Sequence, residues 1–232
     1  MKKGDLRKQE ILRTAEQLFC RKGYEETSIQ DILDVLHSSK GSFYHHYASK
    51  ESLLEAMCGS RAVIMSGQAA EKLAGEADTL KKLNIVFSGM LPLSGERLSF
   101  LLMLLPVFGL PEGWSLKNAY RQSLENAFGG MARETVAEGC EKEIFYCRNA
   151  EKTAGICMSL INDVWCDICG TILENEREGK QTDIQELLGI LDTYRAALER
   201  ILSAPYGSIE LMRLPDLAFI AEQIHVHWRH SA

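Results

Sequence analysis

The sequence has no run of apolar residues long enough to cross a membrane. Its longest candidate, Leu98 to Leu110, is about thirteen residues and is interrupted by Pro106. The basic start (Lys2, Lys3, Arg7, Lys8) is not followed by the apolar core of a signal peptide, so a cytoplasmic location is expected. Period-two alternation is missing, which argues against strands, and there is no internal repeat or low-complexity stretch. Also absent are HExxH, GxSxG, a P-loop and a GxGxxG following a strand. No enzyme is therefore expected, although a constellation of cysteine and histidine assembled from distant segments stays open.

Seven cysteines in 232 residues do not read as a disulfide framework. The CxxC in Trp165-Cys166-Asp167-Ile168-Cys169 lacks a second ligand pair and reads as two small residues on one helix. His225, His227 and His230 have no acidic or cysteine partner close in sequence. Neither group predicts a metal site, and no cofactor is expected.

What is present is helix. Hydrophobic residues make up 46% of the chain, enough for a sizeable core in one large or two smaller domains. The net charge of −6 is uneven: residues 1–60 hold nine Lys/Arg and nine Asp/Glu, the remainder 17 and 23. Asp5 to Arg21 reads as a first helix, with Ile11, Leu12, Ala15, Leu18 and Phe19 on one stripe and Gly23 at its exit. Thr27-Ser28-Ile29-Gln30 opens a second, with Thr27 and Gln30 at capping-box spacing and Ile29, Ile32, Leu33 and Leu36 inward. His37 and Ser38 leave room for a tight turn only.

The next stretch, Ser38-Ser39-Lys40-Gly41-Ser42-Phe43-Tyr44-His45-His46-Tyr47-Ala48-Ser49-Lys50, organises the chain. Ser38 or Ser39 caps a short helix. Phe43 and Tyr47, four apart, share its buried face. Lys40, Ser42, Tyr44, His45 and His46 give the other faces a cationic, hydroxylated and aromatic surface, the donors that phosphates and base edges take. Ser49 restarts a helix, and Lys50 in its first turn opposes the dipole, which a phosphate would favour. A plain hairpin of surface helices with two core aromatics fits the same stretch; the two helices upstream complete a helix-turn-helix pattern instead.

The series Gly23-Tyr24-Glu25-Glu26-Thr27-Ser28, Ile32, Ser39 to Tyr47 and Ser49-Lys50-Glu51-Ser52-Leu53-Leu54 resembles the N-terminal DNA-binding domain of the TetR family of transcriptional repressors. The resemblance covers roughly residues 7 to 57. It implies a third helix in the major groove, with Ser39, Lys40, Gly41, Ser42, Tyr44, His45 and His46 facing DNA. It further implies Thr27, Ser28 and Lys50 on phosphates, with Phe43 and Tyr47 in the core. The chain departs from the family in its turn, where His37 stands for the usual glycine and Leu36 for the usual small residue.

An all-α fold follows. Residues 1–50 are expected to form the helix-turn-helix domain, with a connecting helix from about 50 to 74 whose Leu53, Leu54, Met57 and Ile64 face inward. Residues 51–232 are expected to form a larger helical effector-binding and dimerisation domain. Its segments read as helices over Leu80–Met90, Glu96–Leu105, Ser115–Glu138, Lys152–Arg177, Asp183–Ala204 and Arg213–Trp228, with Pro106, Gly109, Pro111 and Gly113 in a loop. The stripes of the helices at 152–177 and 183–204 suit half of a four-helix bundle, where the resemblance places dimerisation.

The resemblance also implies a small-molecule effector. Phe87, Met90, Phe100, Met103, Phe108, Trp114, Tyr120, Phe128, Asn162 and Trp165 are the candidate lining; the same residues also suit a plain core. The expected function is a DNA-binding repressor that a ligand releases from a palindromic operator as a homodimer, with no membrane partner. The alternative is a helical interaction module or enzyme on the same fold without DNA binding.

Overall fold

The computed structural model describes residues 3–91, 98–108 and 113–231, the last turn from 227 and residues 3 and 108 by backbone alone. Among the described residues there is no strand, and the chain is all-α. The described residues form the helices α1 (Lys3–Lys22), α2 (Ile29–Val35), α3 (Lys40–Tyr44), α4 (Lys50–Leu73), α5 (Thr79–Met90), α6 (Leu98–Phe108), α7 (Gly113–Glu141), α8 (Ala150–Arg177), α9 (Ile184–Leu202) and α10 (Leu214–Ser231). They fall into two compact units, residues 1–61 with 99–120, and residues 62–98 with 121–232.

In the first unit, Ile11, Ala15, Leu18 and Phe19 of α1 are buried against a core that includes Ile32, Leu33, Phe43, Leu53, Leu54 and Met57. Gly23 closes α1 at φ +91, its N–H on the Phe19 carbonyl at 2.9 Å. Phe19 then meets Tyr24 edge-on, ring centroids 5.1 Å apart. Arg61 extends from α4 to α1, its Nε donating to Glu16 at 2.9 Å while the guanidinium covers the Phe100 ring at 5.3 Å.

The second unit is built on α8 and α9. Leu187, Leu191, Leu198 and Leu202 of α9 are buried, as are Ile161, Val164, Trp165, Ile168 and Ile172 of α8. α8 is also long and apolar enough to cross a membrane, which departs from the sequence expectation. Of its most apolar stretch 56% lies inside the protein, as a core helix requires. Polar ties hold the periphery. Glu138 accepts from Lys82, Lys142 and Thr79 at 2.6–3.0 Å, and these contacts, Lys142 foremost, hold its carboxyl down at about 2. Asn84 donates to the Ser208 carbonyl at 2.9 Å and accepts the Glu210 N–H at 3.0 Å.

Several expected boundaries move. Pro106 and Gly113 are helical, not in a loop: Pro106 sits inside α6 and Gly113 begins α7. A proline there forfeits one helical hydrogen bond, but Leu104, Leu105 and Val107 around it are buried and offset that cost. α7 runs unbroken through Gly129-Gly130. On α4, Ile64 is 49% exposed; Ala62 and Met65 point inward in its place.

Leu198 is wholly buried within one chain. Leu198→Glu should therefore unfold the chain and not merely separate subunits. It loses at least the roughly 2–5 kcal/mol of a buried Leu→Ala and adds an unpaired buried carboxylate. Circular dichroism should show lost helix or a sharply lower melting midpoint; a folded variant with wild-type stability would contradict this packing.

Candidate nucleic-acid interface

The surface of interest is assembled by caps and a turn. Ser28, not Thr27, caps α2: its Oγ accepts the Asp31 N–H at 3.1 Å, and the Asp31 carboxylate accepts the Ser28 N–H at 2.7 Å. That reciprocal box, with Lys22 at 3.1 Å, holds the Asp31 carboxyl at about 2. Sequence reasoning paired Thr27 with Gln30; the Ser28-x-x-Asp31 spacing was the signal for the pair that forms.

α2 ends in a Schellman motif. The Ser38 N–H reaches the Leu33 carbonyl at 3.0 Å and the His37 N–H the Asp34 carbonyl at 3.3 Å. His37 occupies the left-handed position at φ +47. Histidine is among the residues that tolerate it, so the turn forms without the glycine that usually supplies it.

Ser39 then caps α3, its Oγ accepting the Ser42 N–H at 3.3 Å. Phe43 is fully buried, and Tyr47 is nearly so, its hydroxyl donating to the Lys8 carbonyl at 3.3 Å. Burial pushes the Tyr47 phenol up to about 12, so it stays a neutral donor. With these two side chains inward, Lys40, Gly41, Tyr44 and His45 are exposed, and Ser42 and His46 are half-buried. Tyr44 is 54% exposed and packs edge-on against Phe43 at 5.5 Å; His45 and His46 lie edge to face at 4.9 Å. α3 and the two residues after it so carry a cation, hydroxyls, a phenol and two imidazoles, of which Lys40, Tyr44 and His45 are exposed.

Two residues assigned to phosphate take other partners here. Thr27 is buried, and its hydroxyl donates to the Gly23 carbonyl at 2.7 Å. Lys50 directs its ammonium to the carbonyls of Tyr24, Thr27 and Glu25 at 2.9, 3.2 and 3.4 Å, over the Tyr24 ring at 4.2 Å. An ammonium has three protons. Three carbonyls therefore occupy it, and the dipole-opposed lysine is explained by the α1–α2 loop. Ser49 and Ser52 cap α4 reciprocally beside it, at 3.0 and 3.1 Å.

The candidate effector lining is divided between the two units. Phe87, Met90 and Phe128 are buried in the second unit, with Trp165 donating to Asn162 at 3.4 Å. Phe100, Met103 and Tyr120 are buried in the first unit, Phe100 and Tyr120 with ring centroids 6.4 Å apart. Trp114 is 76% exposed, and the Phe108 side chain lies outside the described residues. A cavity of about 470 Å³ beside Tyr24, Lys50, Leu54, Val107 and Leu116 and another of about 600 Å³ beside Lys72, Lys81, Asn84, Ile85 and Arg213 involve none of the ten.

Among the described residues no cluster of His, Cys, Asp and Glu could hold a metal. Of the CxxC, Cys169 is buried and Cys166 half-buried on α8. His225 faces Glu176; the side chains of His227 and His230 lie outside the described residues.

Residues 11–57 match the profile of the bacterial regulatory proteins of the tetR family. The chain is 44% identical over 52 residues to the HTH-type transcriptional regulator YerO of Bacillus subtilis, covering 22% of this chain and 18% of that protein. It is 31% identical over 81 residues to the HTH-type transcriptional repressor KstR2 of Mycolicibacterium smegmatis, covering 35% of this chain and 40% of that protein. The matches thus span well under half the length of these relatives. Across the whole chain the fold is similar to the crystal structure of RolR in complex with resorcinol, with a TM-score of 0.56, 14% identity and 95% of each chain covered.

Because Lys50 is tied to three loop carbonyls, Lys50→Met should lower stability by about 1.5–3 kcal/mol, the range for hydrogen bonds to a charged group. Thermal unfolding should show a midpoint several degrees lower. An unchanged midpoint would mean that the ammonium does not hold the loop.

Proposed function

We propose that this chain, which belongs to the TetR family of bacterial regulatory proteins, is a dimeric DNA-binding transcriptional repressor that a small molecule releases from its operator. The observation that carries this reading is the outer face of α3, with Lys40, Tyr44 and His45 exposed around a core anchored by Phe43 and Tyr47. These donors suit base edges and phosphates in a major groove. Residues 1–50 form the reader, the helix from about 50 to 74 connects it, and residues 51–232 carry effector binding and dimerisation.

Ser39, Lys40, Gly41, Ser42, Tyr44, His45 and His46 face the DNA, and Ser28 at the start of α2 approaches the backbone. Thr27 and Lys50 act through the α1–α2 loop that they hold. His37 keeps the turn in the left-handed form that glycine usually provides, which favours a working reader over a module that has lost DNA binding.

The dimer uses α8 and α9, whose outer side keeps the exposed Ile156 and half-buried Leu160. A two-fold dimer places two copies of α3 about one DNA turn apart, roughly 34–36 Å, or a multiple of it, and so reads a palindrome. The effector is a small molecule; the structurally similar RolR has been crystallised with resorcinol as a ligand. The protein acts in the cytoplasm as a regulator and not as an enzyme.

Selection of binding sites from random duplex DNA tests this reading. The wild type should enrich inverted half-sites. Lys40→Met should relax preference at one symmetric pair of positions, a loss of roughly 1–3 kcal/mol of discrimination. An unchanged motif would remove Lys40 from base readout, and no enrichment by the wild type would contradict the proposed function.

A further inference from the structure

The end of α7 turns back sharply on itself within the second unit. The Gly139 carbonyl accepts the N–H of Ile144 at 2.8 Å and of Phe145 at 3.0 Å, and the Glu143 N–H reaches the Cys140 carbonyl at 3.2 Å. Glu143 takes the left-handed conformation, φ +56. A β-carbon at position 139 would lie 2.0 Å from the Phe145 ring, so only glycine lets the ring close over the helix end. The Tyr146 N–H is then bound by the Leu202 carbonyl at the end of α9, 2.9 Å away.

This path fixes Cys147 against the last turn of α7. Its Sγ lies 2.6 Å from Cys140 Sγ, inside the contact distance of two unbonded sulfurs and close to the roughly 2.05 Å of a bond. Both residues are half-buried and so within reach of small solutes, whereas Cys157 in α8 is buried.

We propose that Cys140 and Cys147 are a thiol modification site that closes a reversible disulfide by exchange with low-molecular-weight disulfides. One thiol loses its proton and attacks a sulfur of the oxidant, forming a mixed disulfide and releasing one thiol of the oxidant. The second cysteine then attacks the protein sulfur of that mixed disulfide, forming the Cys140–Cys147 bond and releasing the second thiol. The two cysteines lose two electrons and two protons; the oxidant gains them as two thiols. The attacking species is the thiolate. Burial and the neighbouring Cys147 push Cys140 up to about 11, so exchange accelerates as pH rises toward that value. The bond locks the α7 exit, which the Tyr146 contact ties to α9.

Incubating the whole chain with oxidised glutathione, followed by peptide mass mapping and thermal unfolding, tests this. A Cys140–Cys147 link lacking two hydrogens should form first and should raise the melting midpoint by roughly 5–10 °C, the shift expected for a short closed loop in a protein of this size. A dithiol reductant should reverse both changes. Cys140→Ser and Cys147→Ser should abolish the link, whereas Cys157→Ser should keep it. The proposal is overturned if wild-type Cys140 and Cys147 stay as thiols or end as stable glutathione adducts. It is equally overturned if Cys147 links to Cys157.

Discussion

The arrangement of α1 to α4 depends on one ammonium. Lys50 gathers the carbonyls of Tyr24, Glu25 and Thr27, which no helix can satisfy, and in doing so fixes the loop between α1 and α2 to the start of α4. A charged donor serves several loop carbonyls from one point, two of them in part-buried contacts. Thr27 adds its own hydroxyl to the Gly23 carbonyl in the same loop. The entry angle of α2 follows from that loop, and the Schellman turn at His37 passes that orientation to α3.

α3 is too short to be stable alone, since five residues complete little more than one turn. Its shape comes from packing: Phe43 and Tyr47 are buried, and Ser39 satisfies the helix start. What remains outward is selected by subtraction. The residues that do not anchor the helix are the cation, the hydroxyls and the imidazoles. A rigid support with an adaptable polar outer face is what direct reading of a groove requires.

Much of this was legible in the sequence because caps and exits are local. Ser39, Ser49, Asp183 and Gly23 mark their boundaries by side-chain oxygen or by positive φ. The misreadings arose where distant packing overrode a local signal. Pro106 and Gly113 are helix breakers by propensity, yet the apolar surroundings of α6 and the start of α7 keep both helical. For Lys50, the sequence shows the charge but not the carbonyls about 25 residues upstream that its ammonium meets. The candidate effector lining has a related ambiguity. Phe87, Phe100, Tyr120, Phe128 and Trp165 are the residues a cavity would use and the residues a core uses, and periodicity does not separate the two.

The central claim is that the outer face of α3 meets DNA while the Lys50 loop only supports it. Amide hydrogen exchange of the whole chain, with and without a duplex enriched by its own binding selection, addresses this most directly. Added protection is expected over residues 39–47 and at the start of α2. Protection confined to helices of the second unit, with α3 exchanging as in the free protein, would contradict the account.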